Sequence, residues 1–110
     1  MKAFLICPVR GHEPQELEGV VKDLEGDGWD VHWPMRDTPQ DATSIEICNA
    51  NTKAISEADC VFMFWDGKST GSLFDLGVTF ALKKKFRVLS APDRTEGKSF
   101  QNLMYEMQDL

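Results

Sequence analysis

The strongest constraint on this chain is a fourfold alternation of short apolar runs with longer amphipathic stretches. Residues 2–7 (KAFLIC), 29–33 (WDVHW), 60–65 (CVFMFW) and 86–89 (FRVL) are too short for typical helices and read as strands. Each precedes a segment with apolar residues at helical spacing. The four sets are Leu17, Val20, Val21, Leu24; then Ile45, Cys48, Thr52, Ile55; then Leu73, Leu76, Phe80, Ala81; and last Phe100, Leu103, Met104, Met107. Strand followed by helix, four times over, predicts a mostly parallel four- or five-stranded sheet with right-handed crossovers and helices on both faces. The expected class is doubly wound α/β, Rossmann- or flavodoxin-like.

Local signals fill in the rest. Pro14 suits the first turn of a helix that ends at Gly26 or Gly28. The second strand alternates and meets Pro34, as an edge strand does, which turns His32 toward solvent. Residues 34–43 read as a loop, after which Ser44 caps a helix running to Ala58. Gly77 would permit close packing of the third helix, and Lys83, Lys84 and Lys85 end it, favoured there by the helix dipole. With no repeat and no linker, the 110 residues are expected to form one domain, 1–110.

Composition removes several classes of function. With 18 acidic and 12 basic residues, a net charge of −6, the chain lacks the field that draws a polyanion, so nucleic acid is not an expected partner. Three cysteines without C-x-x-C spacing and two histidines make no zinc set, so no metal is expected. No apolar run approaches the ~20 residues that cross a bilayer, and no secretory leader is evident. A cytoplasmic protein without a membrane partner is the expectation.

In open sheets of this class ligands bind outside the carboxyl ends of the strands, where the strand order reverses. If the order is 2-1-3-4, that crevice lies between strands one and three. The flanking loops are then residues 7–13 (CPVRGHE) and 66–71 (DGKSTG). Arg10 offers a planar fork of donors for phosphate or carboxylate, or is an ordinary surface arginine; Gly11 lets backbone approach a ligand. Gly67, Ser69, Thr70 and Gly71 precede a helix whose free N–H groups favour an anion, and the same residues also suit a solvated, capped turn. Asp75 interrupts an apolar segment (SLFDLG); it is either helix-start chemistry or an acid at the core edge that needs a partner or a task. Cys7 has no evident base beside it and reads as a buried thiol. Asp66 ends strand three as a receiver-domain phosphoacceptor does, but Pro8 and Val9 stand where that class carries its acidic pair.

Four segments in order, AFLICPVRG, NTKAISEADCVFMFWDG, GSLFDLGVTFALKKK and APDRTEGKSFQNLMYEM, resemble the nucleoside 2-deoxyribosyltransferase family, including its relatives that hydrolyse deoxynucleoside 5′-monophosphates. The resemblance covers nearly the whole chain. It implies a doubly wound domain that cleaves or transfers an N-glycosidic bond of a (deoxy)nucleoside or nucleoside monophosphate, without a cofactor. The family's nucleophile is the glutamate of an E-L-G motif, and Asp75 holds that place in Asp75-Leu76-Gly77, one methylene shorter. The family's acid near the leaving base lies eight residues before the aspartate of an Ala-Asp pair; counting back from Asp59 reaches Asn51, which can hold a base but not protonate it.

By the same resemblance Arg10 and Ser69 match phosphate-binding positions, while Pro8 and Phe4 replace a serine and a tyrosine. Gly11, Asp66 and Gly71 belong to the same two loops and complete the expected substrate-binding set. Asn102 resembles the polar residue that a neighbouring subunit contributes to the pocket, which implies a homodimer or larger homo-oligomer. The departures at Asn51 and Asp75 leave open an alternative, a catalytically degenerate nucleotide-binding module.

Overall fold

The computed structural model describes residues 1–8 and 14–110, so Arg10, Gly11 and His12 lie outside the described residues. Four parallel strands form one sheet in the order β2-β1-β3-β4. Central β1 (Lys2–Ile6) and β3 (Cys60–Phe64) pair with Ala3 opposite Cys60 and Ile6 opposite Met63. β2 (Asp30–His32) and β4 (Phe86–Ser90) are the edges. Both central strands have continuous apolar sequences because neither of their faces meets water: all of β3 is buried, as is β1 beyond Lys2.

Strand alternation divides the core into two layers. Ala3, Leu5, Phe62 and Phe64 face Leu17, Val21 and Leu24 of α1 (Pro14–Gly26). Phe4, Ile6, Val61 and Met63 face the other way, against Ile55 of α3 (Ser44–Glu57), Leu76 of α4 (Thr70–Ala81), and Met104 and Met107 of α5 (Phe100–Gln108). Helices therefore cover both faces, and the class is doubly wound α/β as the alternation predicts. No helix among the described residues is long and apolar enough to cross a membrane.

The structure departs from the sequence expectations in its details. The segment 34–43 contains a short helix, α2 (Pro34–Asp37), and Thr43 rather than Ser44 caps α3, its side chain accepting from the Glu46 N–H. Ile45 is 72% exposed, because the inward face of α3 is set by Asn51 and Ile55, with Ile47 and Cys48 half-buried beside them. On α4 the buried positions are Ser72, Asp75, Leu76 and Thr79, whereas Phe80 and Ala81 are exposed. That helix turns a largely polar face inward, which an apolar-periodicity rule reads about a quarter-turn off. A Cβ at Gly77 would meet nothing within 4 Å, so close packing does not explain that glycine. Phe100 is likewise exposed at the start of α5. His32 does not point freely to solvent: its ring stacks on Phe4 at 5.3 Å between centroids, and the residue is half-buried.

Candidate functional site

β1 is the strand at which chain order reverses, with β2 on one side of it and β3 on the other, so a crevice is expected at the carboxyl ends of β1 and β3. A cleft of about 740 Å³ opens there. Its walls include Cys7 just past β1, Cys48 and Asn51 on α3, Asp66, the segment from Lys68 through Ser72, and Phe74 and Asp75 on α4. A volume of this size fits a small-molecule ligand.

Asp75 sits in the second turn of α4 and is only 8% exposed. Burial pushes its carboxyl up to about 7 from the ordinary 3.8, partly offset by a hydrogen bond from the Asn51 side chain. Near neutrality the group therefore divides between a charged form able to attack an electrophilic carbon and a neutral form able to donate a proton. The Asn51 amide is itself engaged: Thr38 Oγ1 donates to Asn51 Oδ1 at 2.7 Å, and His32 Nε2 lies 2.8 Å from the same hydroxyl. Cys7 borders the cleft, and burial, opposed by Trp33 and reinforced by the negative charge of Asp75, pushes its thiol up to about 12, which disfavours the thiolate that a nucleophile needs.

The loop between β3 and α4 is shaped by its own side chains. Asp66 Oδ1 accepts from the N–H groups of Lys68 and Ser69, each at 2.8 Å. Gly67 adopts a φ of +81°, and a Cβ there would stand 3.0 Å from Pro92 Cγ, so glycine is required on both counts. Ser69 is the N-cap of α4; its Oγ accepts from Ser72 N–H at 3.3 Å and from Ser72 Oγ at 3.0 Å. Two accepted bonds leave the Ser69 hydroxyl proton free to be donated. Gly71 lies exposed in the first turn with open space where a side chain would go.

Of the residues singled out in the sequence, Asp75, Asn51, Asp66, Ser69 and Gly71 meet around this cleft. Arg10 and Gly11 lie outside the described residues. Asn102 is not part of the cleft wall in this chain: its Oδ1 accepts from Thr95 N at 2.8 Å and its Nδ2 donates to the carbonyls of Thr95 and Gly97. Sequence reasoning missed Cys48, Thr38 and His32. Cys48 carries the helical spacing that put it on the inner face of α3, while nothing in one sequence ties Thr38 to Asn51. Among the described residues no group of three or more His, Cys, Asp or Glu side chains is gathered to hold a metal ion.

The family model for nucleoside 2-deoxyribosyltransferase matches residues 4–107. Among solved structures, a CMP N-glycosidase of Clostridium botulinum, BcmB, has the same fold, with a TM-score of 0.72 at 21% identity over 99% of this chain and 81% of that one. A 2-desoxiribosyltransferase from Leishmania mexicana gives a TM-score of 0.62 at 20% identity, covering 84% of this chain and 66% of that one. A further similarity, 32% identity over 60 residues, is to Protein flightless-1 of Drosophila melanogaster; it involves 54% of this chain but 5% of that much longer protein.

Proposed function

The chain belongs to the nucleoside 2-deoxyribosyltransferase family, and from that premise we propose that it breaks the N-glycosidic bond of a (deoxy)nucleoside or nucleoside monophosphate with Asp75 as nucleophile. The observation that carries this reading is a buried carboxylate facing a cleft at the strand ends, with an amide donor beside it. The fold it shares with a CMP N-glycosidase supports the choice of substrate class.

In the first step an Asp75 carboxylate oxygen bonds to the anomeric carbon as the carbon–nitrogen bond breaks. The bonding pair leaves on the base, which takes a proton from water because Asn51 has none of the required acidity. In the second step water, or the nitrogen of a second base, attacks the same carbon, and the ester's electron pair returns to Asp75. Asn51 orients the leaving base. Ser69, with its free hydroxyl proton, and Arg10 hold the sugar's 5′ end, and a phosphate there strengthens the hold. Gly11 and Gly71 allow close backbone approach, and Asp66 keeps the loop in shape. The enzyme works in the cytoplasm as a homodimer or larger homo-oligomer; Asn102, buried with both amide hydrogens bonded to Thr95 and Gly97 of its own chain, holds that loop in place instead of reaching a neighbouring pocket.

Incubating the protein with a panel of nucleosides and 5′-monophosphates, and following free base by chromatography, tests this. Base release that Asp75→Ala abolishes is the expected result. Saturable binding with no release from any member of the panel supports instead a binding module that has lost the chemistry, the reading favoured by the shortened nucleophile and by Asn51 standing in place of an acid.

A further inference from the structure

Beyond the cleft wall, two side chains are tied to its chemistry through hydrogen bonds whose directions can be worked out. Asn51 Oδ1 can only accept, so the 2.7 Å contact with Thr38 Oγ1 uses the single hydroxyl proton of Thr38. With that proton committed, the 2.8 Å contact at His32 must run toward the threonine, from a protonated Nε2. The opposite ring nitrogen is then the one without a proton in the neutral ring. With Oδ1 turned to Thr38, the amide leaves its NH2 group for the cleft wall that Asn51 shares with Asp75, where it opposes the upward push of burial on that carboxyl.

We propose that His32 and Thr38 are positioning residues for the reaction: through their hydrogen-bonded chain they fix the Asn51 amide with its carbonyl turned away from Asp75 and its NH2 group toward the cleft. The proposal rests on the reading of Asp75 as nucleophile. Reversing the chain shows why it has two settings. If the amide turned over, Asn51 would donate to Thr38, Thr38 would donate to an unprotonated His32 Nε2, and Oδ1 would face Asp75. A carbonyl oxygen against a carboxylate is repulsive, so that setting belongs to the protonated acid.

Packing holds the first setting in place. Thr38 is buried, its N–H bonded to the Pro34 carbonyl at 3.0 Å and its own carbonyl accepting from Gln40 Nε2 at 2.9 Å. His32 is clamped flat on Phe4. Burial lowers the His32 pKa, with Asp37 and Glu57 opposing and Arg36 adding to the effect, so the neutral ring is favoured and its tautomer matters. Lys2 and Asp30 border the same small cavity as His32. On the Asp75 side the titratable neighbours around the cleft, among the described residues, are Cys7, Cys48, Asp66 and Lys68.

The test is Thr38→Val, which removes the hydroxyl and keeps the shape, with Thr38→Ser as the conservative control and His32→Phe as a second route to the same break. Asp75 is followed by carbon NMR of its carboxyl, which needs no turnover, and base release is followed against pH. In Thr38→Val the Asp75 midpoint should rise by about one pH unit, roughly tenfold in the ratio of ionised to protonated carboxyl. Base release should fall by a similar factor on the acid limb and converge on the parent rate at alkaline pH, with Thr38→Ser restoring both. His32→Phe, which keeps the stacking on Phe4, should move the midpoint in the same direction and serves alone if Thr38→Val does not fold. An unmoved Asp75 midpoint in a folded variant, or a loss of rate equal at every pH, overturns the proposal. If the parent protein releases no base, the nucleophile reading fails by itself, while the NMR titration still decides the hydrogen-bonded chain.

Discussion

Asp75 occupies a place where a charge is costly: 8% exposed, with the Asn51 amide as the donor that offsets its burial. Its proton is held in the folded chain up to about pH 7 but released near 3.8 in the unfolded one. The stability this gives is present in full below 3.8 and is lost as pH rises through about 7. Over the whole interval the loss is on the order of 4 kcal/mol. Asp75→Asn removes the titration, so denaturant unfolding should find the variant more stable than the parent at alkaline pH, with the advantage fading in acid. Activity should be lost at both. Asp75 was legible in the sequence because an acid inside an apolar segment violates the pattern around it. Thr38 and His32 violate nothing; their roles come from a hydrogen bond spanning 13 positions to Asn51 and a ring stacked on Phe4, both products of the folded chain.

At the scale of elements, α4 does two things at once. Its N-cap, Ser69, satisfies the first turn, and the proposed function gives its hydroxyl proton to the ligand. Ser69→Asp keeps a capping acceptor but replaces the donor with a negative charge. Unfolding should therefore be little changed, while calorimetric titration shows a 5′-monophosphate losing affinity relative to its nucleoside. Ser69→Ala should instead cost about 1 kcal/mol of stability through the lost cap. Equal losses for nucleoside and monophosphate in Ser69→Asp would remove Ser69 from the phosphate site. The four strands were legible because buried parallel strands leave continuous apolar runs. The inward face of α4 was not, since Ser72, Asp75 and Thr79 face in while Phe80 faces out. The helix lines a polar cleft, and apolar periodicity reports only the part of a helix that touches the core.

For the molecule as a whole, the strand order β2-β1-β3-β4 puts the reversal of chain order at β1, and with it the cleft. Two core layers share the central strands β1 and β3, one on each face of the sheet. We take residues 1–110 as one domain, which predicts a single thermal transition coincident by fluorescence and circular dichroism; two separated transitions would divide it. Under the proposed function, turnover passes through a sugar held covalently on Asp75 of α4. Mass spectrometry of acid-quenched protein, taken during turnover of a substrate from the panel, tests this most directly. The account predicts a (deoxy)ribosyl or sugar-phosphate ester on the peptide containing Asp75, absent in Asp75→Asn; an adduct on another residue, or base release undiminished in Asp75→Asn, would contradict it.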